Sequence, residues 1–125
     1  MIEYNDGKIL YLKDEESNNT EIIYNDICVG ELTKFTDGSV YWQTKTIKKE
    51  ARKMLADIAF MDFIVQSIIG YLKKTGARRL LISNLLPGDI GKWYIKSIWE
   101  ERGFTIGSKE DIPMEVTTSY YTLEL

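Results

Sequence analysis

The sequence predicts an α/β (α+β) domain built on one mixed, mostly antiparallel sheet that carries two main helices. Three observations predict it. Residues 1–47 form short β-branched and aromatic runs separated by turn signals, the pattern of antiparallel strands. From Lys48 to Lys74 the apolar residues Leu55, Ile58, Val65, Ile68, Ile69 and Leu72 recur at three- and four-residue steps, which is helical spacing. A short apolar run, a second helical stretch and two further strands then follow, so helices bracket a buried strand. With 125 residues, 44% of them hydrophobic and 28% charged, the chain suits one globular domain spanning 1–125.

Each element has a local reason. Asn5-Asp6-Gly7 is a turn signal before the strand Lys8–Leu12, and Asp14–Asn19 is a polar loop. Thr20–Tyr24 reads as a second strand, turned by Asn25-Asp26 into a third, Ile27–Phe35. Asp37-Gly38 joins that strand to Val40–Ile47, a strong hairpin signal between β-rich runs. The helix Lys48–Lys74 ends on Lys73 and Lys74, which suit its C-terminal dipole, and Gly76 supplies a left-handed stop. Arg78–Asn84 is the buried strand. Pro87-Gly88 breaks the chain, a helix opens at Asp89 or Gly91 and runs to Arg102, and Gly103 caps it before Phe104. Val116–Leu125 is a closing strand.

Composition excludes many chemistries. There is no histidine, which removes histidine triads, histidine metal sites and imidazole proton shuttles. Cys28 is the only cysteine, so neither an intrachain disulfide nor a multi-cysteine metal site is possible. A net charge of −3 without a concentrated basic stripe argues against nucleic acid as a partner. No membrane span is expected, because the apolar stretch Ala56–Leu72 is interrupted by Asp57, Asp62, Gln66, Ser67 and Gly70. The acidic N-terminus has no export pattern, and with a free thiol the expected location is cytoplasmic. Three tryptophans, eight tyrosines and a helix apolar on several faces lead us to expect a homodimer.

The order of elements, with Gly76-Ala77-Arg78-Arg79-Leu80-Leu81-Ile82 after one helix and Ile98-Trp99-Glu100-Glu101-Arg102-Gly103-Phe104 closing the next, resembles the GNAT acetyltransferase superfamily. The resemblance covers about residues 20–125, including the ending Tyr120–Leu125. The two family helices between the first and second strands are missing, as in minimal members. The resemblance implies a GNAT-like sheet that splays near Ile47 and Asn84. It also implies acetyl-CoA as cofactor and transfer of its acetyl group to an amine substrate.

The same resemblance assigns candidate residues. The family holds the coenzyme pyrophosphate on backbone amides of a Gln/Arg-x-x-Gly-x-Gly/Ala loop before the first helix. Counting back from Gly76 puts that loop on Met54–Ala59, where Ala59 fits, while Met54 and Asp57 replace the expected glutamine or arginine and glycine. A carboxylate at 57 would repel a pyrophosphate. The basic group Lys48, Lys49, Arg52 and Lys53 is the counterweight, or a solvated helix face. Ile47 and Asn84 border the splay, and Lys92 stands where the family often has a coenzyme-contacting asparagine.

Trp99 occupies the place of a tyrosine that serves as general acid, and an indole N–H has no usable acidity. Tyr94 or Tyr120 could supply a phenol instead. Glu31, on a strand, is a candidate general base or an outward carboxylate on an alternating strand. Three readings stay open: a minimal N-acetyltransferase with an atypical pyrophosphate loop, a non-catalytic GNAT-fold interaction or regulatory module that has lost coenzyme binding, or a small α/β binding domain whose likeness to the family is coincidental.

Overall fold

A computed structural model describes residues 2–3, 7, 9–14, 18–45, 48–83, 96–107 and 120–125. The strands are β1 (Ile2–Glu3), β2 (Ile9–Asp14), β3 (Asn19–Tyr24), β4 (Ile27–Lys34), β5 (Ser39–Thr44), β6 (Arg79–Ser83), β7 (Thr105–Gly107) and β8 (Tyr120–Glu124). The helices are α1 (Lys49–Ala56), α2 (Ile58–Thr75) and α3 (Lys96–Glu100). The described strands form a single sheet in the order β1-β2-β3-β4-β5-β6-β8-β7. Among the described residues only β5 and β6 pair in parallel; the other pairs are antiparallel, as a sheet made mostly of hairpins requires.

The N-terminal meander follows its turn chemistry. Asn25 and Asp26 both take positive φ, 52° and 62°, in the two-residue loop that pairs Tyr24 with Ile27. That geometry matches the right-handed twist of the flanking strands, and Asn and Asp tolerate it best among side chains. Asp37 fixes the next hairpin by accepting from the Ser39 N–H at 2.9 Å.

The predicted helix Lys48–Lys74 is two helices. Asp57 interrupts it with extended backbone (φ −77°, ψ 119°), and α1 and α2 meet at 89°. The apolar period runs through the break, which is why spacing alone does not reveal it. Gly76 ends α2 with φ 78°, as expected of a left-handed cap. No single described helix is long and apolar enough to cross a membrane.

Residues opposite each other in a ladder share a sheet face, so the register locates the core. Leu32 faces Trp42, Trp42 faces Ile82 and Ile82 faces Tyr121, and all four are buried. The helices cover this face: Phe60 of α2 meets Tyr24, and Trp99 of α3 meets Trp42 and Tyr121. Ala51 and Leu55 add α1 to the same core. Gly30 allows a close approach here, because a Cβ would come within 3.1 Å of Trp42 Nε1 and of the Gln43 carbonyl. Most described aromatic rings are therefore core; the large hydrophobics left exposed among the described residues are Tyr11, Ile58 and Ile106.

Candidate functional site

The parallel β5–β6 pairing ends at Trp42 and Ile82. Beyond the pair Trp42–Ile82, Gln43 and Thr44 stay in register with Glu31 and Gly30 of β4, while Ser83 stays with Tyr120 of β8. The Lys45 N–H also turns toward β4, donating to the Val29 carbonyl at 3.0 Å. Past that pair β5 keeps β4 as its neighbour and β6 keeps β8, with no further β5–β6 pairing among the described residues. The residues named for the splay, Ile47 and Asn84, lie outside the described residues, as do Lys92 and Tyr94. Tyr120 is placed by its backbone register alone.

The start of α2 stands at this end, where Phe60 in its first turn packs on Tyr24 with ring centroids 4.7 Å apart. A helix N-terminus exposes N–H groups and attracts anions. Here one of them is already taken: Asp57 Oδ1 accepts the Phe60 N–H at 3.1 Å. The alignment that put Asp57 at the expected loop glycine thus falls on the N-cap of α2 itself. Ala59, the loop position that fits, is the exposed second residue of the helix.

The candidate cations lie toward the N-terminal end of α1, away from the break at Asp57. Lys49 is exposed at the start of α1, and Arg52 is half-buried one turn later. Lys48, the α1 N-cap, makes no side-chain cap bond. Glu31 does not join them. It alternates with Leu32 on β4 and so lies on the face away from the helices, opposite Glu21 and Gln43 and 3.7 Å from Lys45 Nζ. Its side chain is 26% exposed. Cys28 is half-buried rather than in the core; its thiol donates to the Gly30 carbonyl at 3.4 Å, and burial pushes its pKa up.

Trp99 is fully buried and anchors an aromatic cluster. It stacks on Tyr121 with centroids 5.5 Å apart and meets Trp42 and Phe104 edge-on at 6.0 and 5.2 Å. Burial, with the Glu100 charge as a lesser cause, raises the Tyr121 phenol pKa. Arg102 donates to the Ile98 carbonyl at 2.7 Å and to Asp62, tying the turn after α3 to α2. Sequence reasoning missed Asp57 as a cap and the Asp62–Arg102 tie. The first had a signal, an Asp directly before an apolar helical run; the second, a contact between distant residues, had none. Among the described residues no group of three metal-ligating side chains gathers.

The fold has matches among solved structures. An acetyltransferase of the GNAT family from Staphylococcus aureus Mu50 superposes with a TM-score of 0.59 at 13% identity, covering 86% of this chain and 68% of that one. The fold is the GNAT fold. N-acetylglutamate synthase from Neisseria gonorrhoeae, solved with coenzyme A and N-acetyl-glutamate, has a TM-score of 0.53 at 16% identity. That match covers 93% of this chain but only 29% of the synthase, so the chain corresponds to a part of that enzyme. No protein-family profile and no curated protein matches the sequence.

Coenzyme A is the cofactor that the GNAT resemblance implies, and the described residues do not fit it in the family's manner. The N-terminus of α2 carries its own carboxylate instead of an open amide cradle. Trp99, which the resemblance sets in the place of a general-acid tyrosine, is an indole packed on three aromatic rings.

Proposed function

We propose that this chain is a GNAT-fold interaction or regulatory module that does not bind acetyl-CoA at the α2 N-terminus. The observation that carries this reading is the Asp57–Phe60 bond. A pyrophosphate at that helix end would meet a fixed negative charge and would have to displace an existing hydrogen bond. Trp99 supports the same reading, since its buried N–H is no proton donor for a departing thiolate. Isothermal calorimetry with acetyl-CoA tests it. The expected outcome is no measurable heat from the unaltered protein and the appearance of binding in Asp57→Gly. Tight binding by the unaltered protein would overturn it.

One observation favours a second reading, an N-acetyltransferase acting on an amine. The α1 N-terminus lacks a side-chain cap and has Lys48, Lys49 and Arg52 beside it, so α1 could receive the anion in place of α2. Glu31 would then be the candidate base. Under that reading Lys49→Gln with Arg52→Gln weakens acetyl-CoA binding, whereas Asp57→Gly leaves it unchanged.

A further inference from the structure

A groove of about 340 Å³ runs between β2 and the C-terminal half of α2, at the opposite end of that helix from Asp57. Its volume falls in the range of small-molecule sites. Leu10 and Leu12 of β2 form an apolar floor, and Ser67, Gly70 and Tyr71 form the helix wall. Gly70 keeps the wall open: a Cβ there would meet no atom within 4 Å. The Ser67 hydroxyl donates to the Phe63 carbonyl at 2.7 Å, so its proton is engaged within the helix.

Among the described residues the charge at the groove is one-sided. Lys74 lines its end, and Lys34 Nζ lies 5.9 Å from the centroid of the Tyr71 ring. No carboxylate is among the described lining residues, although the whole chain carries a net −3. Lys73 and Lys74 also offset the negative end of the α2 dipole, which would otherwise disfavour an anion there.

We infer that this groove binds an aliphatic monocarboxylate, its chain along Leu10, Leu12 and Gly70 and its carboxylate at Lys74. Apolar burial supplies most of the affinity and the ammonium sets orientation and the preference for an anion.

The test uses the full ¹⁵N-labelled chain titrated with decanoate below its micelle concentration, beside 1-decanol and decyltrimethylammonium. Decanoate is expected to shift the amides of Ser67, Gly70, Tyr71 and Lys74, and the cationic analogue to bind most weakly. Lys74→Gln should weaken decanoate about threefold, the scale of one exposed ion pair, and leave 1-decanol unchanged. Gly70→Leu should abolish binding of both while the spectrum keeps its dispersion, since leucine is a better helix former than glycine. Equal binding of the three probes, shifts confined to other residues, or undiminished binding in Gly70→Leu would overturn the inference. So would concentration-dependent broadening of the same amides without ligand, which would assign the groove to a second copy of the chain.

Discussion

Asp57 closes the start of α2 by accepting the Phe60 N–H at 3.1 Å, so the chain's own carboxylate sits where the GNAT resemblance puts a coenzyme anion. The same residue turns the chain by 89° between α1 and α2. One side chain therefore sets both the local charge and the direction of the polypeptide.

Asp57→Ala should destabilise the fold by about 1 kcal/mol, the usual cost of losing an N-cap. Asp57→Asn should retain most of the stability, because an amide oxygen can still accept the Phe60 N–H. Urea denaturation of the three proteins checks this. Equal stability of Asp57→Ala and the unaltered protein would show that the cap bond contributes nothing.

Trp99→Ala should cost about 3–5 kcal/mol, since it empties a fully buried site against Trp42, Phe104 and Tyr121. Trp99→Phe should cost less, because it keeps an aromatic ring in the cluster. Thermal unfolding followed by near-ultraviolet circular dichroism reads both the stability and the cluster.

Gly30→Ala should destabilise by about 1–3 kcal/mol through overpacking. The added Cβ would press on the Gln43 carbonyl, which is backbone, and on Trp42 Nε1, each at 3.1 Å. The measurement is the shift in denaturation midpoint, with tryptophan emission reporting displacement of Trp42.

Asp37 supplies a pH dependence. The Ser39 N–H, followed by the Ser39 hydroxyl and then Arg79 and Arg78, holds its pKa below the ordinary aspartate value. A depressed folded-state pKa means that the contribution is present above the unfolded pKa and is lost as pH falls through the folded one. The unaltered protein should thus exceed Asp37→Asn in stability near neutral pH, and the gap should close in acid below the ordinary aspartate range. A gap independent of pH would sink the assignment.

The sequence made the sheet legible because its signals are local. Asn25-Asp26 and Asp37-Gly38 specify hairpins through their own backbone preferences, and Gly76 specifies a helix end. The break at Asp57 was harder to read, since the apolar spacing of Leu55, Ile58 and Val65 continues across it. Glu31 illustrates a different limit: alternation gave two possible faces, and only the register with Leu32 and Trp42 shows that it points away from the helices. The Asp62–Arg102 tie joins residues forty apart and follows from tertiary packing alone.

The place of β6 between β5 and β8 governs how the chain can fold. Leu80, Leu81 and Ile82 are all buried in the finished sheet, yet one neighbour of β6 follows only after α3 and β7. During synthesis the N-terminal meander can close by short hairpins, and α2 can return the chain to β5. β6 then waits with an apolar strand edge exposed, the kind of edge that recruits strands from other molecules. Removing β8 should therefore convert a folding protein into an aggregating one, with the nascent edge at Leu80–Ile82 as the point of self-association.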